Sequence, residues 1–241
     1  MKKNTLLEML KEEKEMGLKG GIYHTTQIKF AYNTNHIEGS RLSEEQTRYI
    51  YETNTIAPEG EEATSIDDIM ETVNHFQCFD YMLDHVEEPL SEEMIKKFHS
   101  ILKSNTSDSR KTWFNVGEYK SRPNVVGERK TAPPSKVKEQ MVALLDSYNN
   151  KQDISINDII TFHHDFEVIH PFQDGNGRVG RLIMFKECLK NNIMPFIIEE
   201  SHKLFYYRGL NEYKNEKGYL VDTCLSAQDY YEQLVKYFTE E

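Results

Sequence analysis

The chain of 241 residues is poor in cysteine, in tryptophan and in long apolar runs. Its three cysteines, Cys78, Cys188 and Cys224, are odd in number, far apart and in no CxxC pair. Neither a disulfide framework nor a thiolate zinc site is supported, and each thiol is expected to be buried and inert. No apolar stretch approaches the ~18 residues of a membrane span. Glu8 and Glu12 interrupt any signal-peptide core at the start. Basic charge is also in deficit: 29 Lys and Arg stand against 40 Asp and Glu, a net charge of −11. That sign repels phosphate backbones and argues against general nucleic-acid binding. The expectation is a soluble, cytoplasmic protein that engages neither membrane nor nucleic acid.

What is there reads as helix after helix, and the fold class expected is all-α with one short β-hairpin. Residues 21–38 read as a helix that stops at Gly39, a residue type favoured just past a helix end. Ser43 and Gln46 form a capping box, and Ser91 opens a helix with Leu90 and Ile95 as a hydrophobic staple. From Ser155, residues Ile156, Ile159, Ile160, His163 and Phe166 recur on one helical stripe. That helix should stop near Ile169-His170, because Pro171 drives the residue before it out of α geometry. Residues 113–134 carry Gly, Pro and Asn among β-formers and predict a hairpin, followed by a helix from about Ser135 to Tyr148. The Glu-rich stretch 59–62 reads as a solvated loop.

The chemistry concentrates in His170-Pro-Phe-Gln-Asp-Gly-Asn-Gly-Arg-Val-Gly-Arg181. A helix ends, a glycine-rich turn follows, and a new helix starts at about Asn176. Gly175 and Gly177 let backbone N–H groups approach a phosphate, and the helix N-terminus adds a positive dipole end. Arg178 and Arg181, three apart, can both point toward a polyphosphate. Asp174 is a hard oxygen ligand suited to a Mg²⁺ that bridges phosphates. His170 has an unperturbed pKa near 6.5 and can take a proton from a hydroxyl at neutral pH. Phe172 reads as a packing anchor. His163, His164 and Asp165 could be read as metal ligands, but no complete set accompanies them, and a packed or hydrogen-bonded His163 is the expectation.

This segment resembles the Fic family, whose signature HxFx(D/E)GNGRxxR is matched at His170, Phe172, Asp174, Gly175, Asn176, Gly177, Arg178 and Arg181. Chance would produce these eight matches on the order of 10⁻⁸ times per chain. Gly117-Glu-Tyr119-Lys, Val125-Val126-Gly127 and Pro133-Pro134 look like the family's flap, with Lys120 where Arg is usual. Leu204 to Leu210 is similar to its helix beside the nucleotide base. The resemblance implies a Fic core over 89–215, an N-terminal helical region over 1–88 and a C-terminal helical extension over 216–241. It implies AMP transfer from ATP, with Mg²⁺, to a Ser, Thr or Tyr hydroxyl of a target protein or of the chain itself. His170 would be the base. Gly175, Asn176, Gly177, Arg178 and Arg181 would hold phosphates, and Asp174 the metal. The flap residues Tyr119, Val125, Val126 and Gly127 would hold the target as an added strand, and Tyr206 and Tyr207 would lie near adenine. Gly177, which the phosphorylating Doc branch replaces by lysine, favours the AMP-transferring orientation. Members often self-associate, so a homo-oligomer is implied on the same ground.

Upstream, Thr34-Asn-His-Ile-Glu38-Gly39 resembles the family's inhibitory motif (S/T)xxxE(G/N), placed N-terminally as in its class II members, on a helix of about 22–39. A bidentate Glu38–Arg181 pair would occupy the guanidinium that a γ-phosphate needs. Two rival readings remain: a hydrolase that removes AMP with Glu38 positioning water, and a silent nucleotide-binding module.

Overall fold

The computed structural model describes residues 5–56, 63–127 and 129–239; the expected loop at 59–62 lies outside them. The chain is mainly helical, with one two-stranded sheet among the described residues. In order come α1 (Thr5–Met16), α2 (Ile22–Ile37), α3 (Glu44–Thr53), α4 (Ile66–Asp84) and α5 (Glu92–Leu102). The hairpin β1 (Val125–Val126) and β2 (Arg129–Lys130) leads to α6 (Pro134–Asn149), α7 (Ile156–Ile169), α8 (Asn176–Lys190), α9 (Lys203–Glu212) and α10 (Gly218–Thr239). No described helix is long and apolar enough to cross a membrane.

The boundaries follow local chemistry. Ser43 Oγ accepts from Gln46 N while the Gln46 side chain answers to the Ser43 N–H, so the expected capping box is present. Ser91 and Ser155 cap α5 and α7 in the same way, the second with Asp158 closing the box. Pro134 occupies the first turn of α6, where its missing N–H costs nothing. The hairpin pairs Val125 with Lys130 and Val126 with Arg129, a strand length of two residues within the longer irregular segment.

Helix α8 is the axis. Residues 176–189 are all buried, polar ones included, so it is apolar or partnered all round rather than striped. Helices α2, α4, α5 and α7 pack on it. Phe30 of α2, Phe79 of α4 and Phe185 of α8 meet with ring centroids 5.2–6.1 Å apart. Leu6, Leu10, Ile22 and Phe30 belong to the same apolar core as Phe166, Val179 and Leu182. The core therefore runs through residue 88, and α2 packs as an inner helix of the fold. All three cysteines are free and buried, as expected. Deleting the Phe185 ring would cost about 3–5 kcal/mol, the usual range for a buried aromatic.

Candidate active site

The turn between α7 and α8 is built by two constraints in the sequence. Pro171 forbids α geometry at the residue before it, and His170 adopts the left-handed region (φ 52°, ψ 64°) as the C-cap of α7, its N–H bonded to Phe166 O at 2.8 Å. The strain is held by neighbours. Lys120 N donates to Pro171 O at 2.8 Å and Ala132 N to Ile169 O at 3.3 Å, so the segment flanking the hairpin is laced to the turn. Phe172 is fully buried and stacks on His99 at 4.0 Å, which makes it the packing anchor expected. Gly175 opens α8 at φ +80°, where a side chain would be strained.

A cavity of about 420 Å³ opens at this turn, within the range of small-molecule sites. His170, Asp174, Gly175, Asn176, Gly177, Arg181, Glu38, Val126, Gly127, Tyr206 and Tyr207 line it. Most of the residues singled out in the sequence thus converge on one space, although they come from α2, the hairpin, the α7–α8 turn and α9.

His170 faces the cavity with a carboxylate behind it: Glu167 Oε2 lies 3.5 Å from His170 Nδ1. Burial pushes the Glu167 carboxyl up, but His170 and then His163 beside it outweigh that and leave it below its ordinary value. An ionised Glu167 favours a proton on Nδ1 and leaves Nε2 as the basic nitrogen. Sequence reading missed Glu167, although its spacing of three from His170 on one helix face was a usable signal.

Arg181 is almost fully buried and completely engaged. Nε donates to Thr34 Oγ1 at 2.7 Å, Nη2 to Thr34 O at 3.1 Å and to Glu38 Oε1 at 2.6 Å, and Nη1 to Tyr206 Oη at 3.4 Å. Glu38 therefore meets Arg181 through one hydrogen bond, not the bidentate pair expected, because Thr34 takes the other side of the guanidinium fork. Glu38 caps the C-terminal end of α2, where the helix dipole disfavours a carboxylate, so its partner offsets an unfavourable position. Gly39 follows at φ +105° and ends the helix. A Cβ on Gly177 would crowd Glu38 Oε1 and Arg181 Nη1, so a side chain there would have to push these two tips aside.

Arg178 departs from its expected direction. It does not line the cavity. Nη1 bonds Glu71 of α4 and Nη2 bonds Asp174 Oδ2 at 3.2 Å. Lys103, only 2% exposed, donates to Glu71 at 2.5 Å and Asp174 at 2.6 Å and pairs with Asp108 at 2.8 Å. Two arginines three apart on a helix part company because carboxylates from different elements claim them, Glu71 and Asp174 for Arg178 and Glu38 for Arg181. Burial alone would raise the Asp174 carboxyl; Arg178 and Lys103 hold it far below the carboxylate range instead. Both cations bond the same oxygen, Oδ2, leaving Oδ1 free of them. Mg²⁺ is typically held by one or two carboxylates together with waters and phosphates, so an ionised Asp174 at the rim fits it. No group of three or more His, Cys, Asp or Glu able to hold a metal occurs among the described residues; His163 Nε2 meets Tyr206 Oη at 2.7 Å and His164 Nδ1 meets Asp165 Oδ1 at 2.8 Å.

The remaining expected residues divide. The Asn176 amide is taken up inside the turn, accepting from Phe172 N at 2.8 Å and donating to Phe172 O at 3.0 Å, so its side chain shapes the loop instead of pointing free into the cavity. Tyr206 is buried, with its hydroxyl between His163 Nε2 (2.7 Å) and Arg181. Tyr207 is half-buried and donates to Ile37 O at 3.1 Å. Tyr119 lies off the hairpin strands, bonded to Glu92 at 2.8 Å and packed on Phe172, while Val125, Val126 and Gly127 are on the hairpin. Lys120 is buried at the hairpin base, bonding Asn124 Oδ1 (2.7 Å) and Thr131 Oγ1 (2.6 Å).

Residues 89–188 match the Fic/DOC family. The chain is 27% identical over 194 residues to the protein adenylyltransferase fic-1 of Caenorhabditis elegans, covering 77% of this chain and 36% of that one. It is 34% identical over 112 residues to a probable protein adenylyltransferase of Aquifex aeolicus, covering 45% of this chain and 34% of the other. It thus spans about a third of the length of these curated relatives. A solved Fic-domain-containing signaling protein from Bacteroides thetaiotaomicron superposes with a TM-score of 0.78 at 21% identity, over 98% of this chain and 97% of that one. A solved portion of C. elegans Fic-1 superposes with a TM-score of 0.72 at 21% identity, over 95% of this chain and 68% of that one.

Proposed function

We propose, from the match of residues 89–188 to the Fic/DOC family, that the chain transfers AMP from ATP to a hydroxyl of a target protein and is restrained by Glu38. The observation that carries the proposal is the meeting, in one cavity, of His170, the α8 N-terminus and an Arg181 already held by Thr34 and Glu38.

His170, oriented through Nδ1 by Glu167, takes the proton of the target hydroxyl at Nε2. The hydroxyl oxygen forms a bond to the α-phosphorus of ATP, the bond from that phosphorus to pyrophosphate breaks, and the proton passes from His170 to solvent. Backbone N–H groups at the start of α8 stabilise the charge on the α-phosphate. Arg181 receives the γ-phosphate once Glu38 has left it. Asp174 would hold Mg²⁺, which supplies charge neutralisation for the phosphates. Lys103 and Arg178 hold the Asp174 carboxylate ionised and in place, and Glu71 holds those two cations. The target lies along the hairpin as an added strand, with main-chain bonds setting its register. The rate enhancement is chiefly positioning plus electrostatics.

Intact-mass measurement after incubation with ATP and Mg²⁺ tests this on wild type, Glu38→Gly and Glu38→Gly/His170→Ala. An AMP-sized adduct on the single variant or an added target that disappears in the double variant supports transfer, restraint and base together. A phosphate-sized adduct overturns the ATP orientation, and equal labelling of wild type and Glu38→Gly overturns the restraint.

A further inference from the structure

The protein as a whole is acidic, but its charge is not evenly spread. Residues 110–138 contain eight Lys or Arg and two Glu, a net charge of +6, whereas the rest of the chain holds 21 basic and 38 acidic residues, a net of −17. The basic segment is the one that forms the hairpin and its flanks.

Two of the eight face inward: Lys120 is buried at the hairpin base and Arg129 donates to Glu167 O at 3.0 Å. The other six, Arg110, Lys111, Arg122, Lys130, Lys136 and Lys138, are exposed. Lys111 and Lys136 have local partners in Asp108 and Glu139. Among the described residues, Arg122 and Lys130 have no carboxylate within ion-pair distance. Arg122 and Lys111 both stand over the Trp113 ring, at 4.9 and 5.6 Å, which draws the loop before the hairpin and the hairpin base into one basic surface. On the hairpin, Lys130 is the cross-strand partner of Val125, which is 63% exposed. Paired residues share a face, so Val125 and Lys130 point outward while Val126, which lines the cavity with Gly127 and Arg129, points in.

We infer that the hairpin selects acidic target segments: an extended peptide laid along it, with its modified hydroxyl on the cavity face, presents acidic side chains outward to Lys130 and Arg122. The inference rests on the proposed transfer reaction for its outcome, but on charge and pleat alone for the docking itself. In a strand, the residues at odd offsets from the hydroxyl face the opposite way from it, so the acids belong at those offsets. The net negative charge of the remaining chain does not cancel this preference at contact, because at physiological salt fields decay over ~8 Å. Charge complementarity of this kind sets partner choice and on-rate more than total affinity.

Two fluorescent 11-residue peptides test it, with Glu or Lys at the odd offsets from a central Val that replaces the hydroxyl residue. Anisotropy with wild-type protein at 50 mM NaCl should show the Glu peptide binding about 10-fold tighter or more, with the preference shrinking at 500 mM NaCl. Arg122→Glu/Lys130→Glu should abolish or invert it, and Arg122→Gln/Lys130→Gln, with thermal unfolding to verify the fold, should reduce it to near parity. Equal binding of the two peptides, or a Glu preference that survives both double variants, overturns the inference. A second arm replaces the central Val by Thr and adds ATP, Mg²⁺ and the Glu38→Gly variant. Peptide discrimination in the first arm with no AMP adduct in the second sinks the transfer reading and leaves the docking surface standing. Adducts on Glu and Lys peptides alike leave the transfer reading and sink the charge preference.

Discussion

The two arginines of the α8 first turn stand in opposite surroundings although they are three residues apart. On the Arg178 side, Lys103, Lys111, Glu71, Asp108 and Asp174 join it in a closed network of three cations and three carboxylates, drawn from α4, the end of α5, the loop after it and the α7–α8 turn. On the Arg181 side, one carboxylate supplies the charge, Glu38 at 27% exposure, and the other partners are the neutral groups of Thr34 and Tyr206. A closed charge network cannot lose one member without leaving another buried and unpaired. A single accessible carboxylate can depart and leave its arginine with three hydrogen bonds in hand. The first arrangement is built as a scaffold, and the second has the form that the proposed restraint requires.

The largest expected effect breaks the scaffold. Lys103→Met leaves Glu71 and Asp174 with Arg178 alone and Asp108 with Lys111 alone, and should lower the unfolding free energy by about 3–5 kcal/mol in a denaturant titration. A loss under ~1 kcal/mol would show that the network is not closed. Acid titration separates the two sides next. His163, on the Arg181 side, is pushed by burial down to about 4 from 6.5. Between those values the unfolded chain binds the proton and the folded one does not, so stability falls as pH drops through that window, by about 3 kcal/mol. His163→Gln should remove that loss. Asp174, held far below its ordinary value, contributes stability that is present above that value and lost only as pH falls beneath it. On that side the earlier loss comes from His99, bonded to Asp174 O and pushed by burial and Lys103 down to about 3, so His163→Gln should leave it in place.

Removing the restraint comes third in size. Glu38→Gly should tighten ATP binding about 10- to 100-fold by calorimetry, matching a charge-assisted hydrogen bond of about 1.5–3 kcal/mol, with little change in stability. A large stability loss without tighter binding would class Glu38 with the scaffold. Smallest is Tyr206→Phe, which strips a hydroxyl from Arg181 and leaves His163 Nε2 without it; the expected loss of stability is about 1 kcal/mol by thermal unfolding.

The convergence of His170, Asp174, Gly175, Gly177 and Arg181 was legible because they lie within twelve residues and a helix–turn–helix transition leaves few ways to arrange them. Cap residues and prolines placed the ends of α3, α5, α6 and α7 for the same local reason. Glu71, Lys103 and Asp108 were not legible: each is an ordinary charged residue in a chain rich in them, and the links that tie them to the site, Lys103 to Asp174 and Glu71 to Arg178, span 71 and 107 positions. The partners of Asn176 and Tyr119, Phe172 and Glu92, were not legible, since an amide or a phenol has several equally good partners until the chain closes around it.

Sequence alone determined the elements and the turn. Proline before a left-handed histidine, glycine at positive φ and serine at N-caps act over four residues or fewer, and nothing distant is needed to satisfy them. Only the tertiary structure decided which carboxylate each arginine meets. That choice depends on burial, where an unpaired charge costs several kcal/mol, and burial exists only after α2, α4 and α5 have packed around α8.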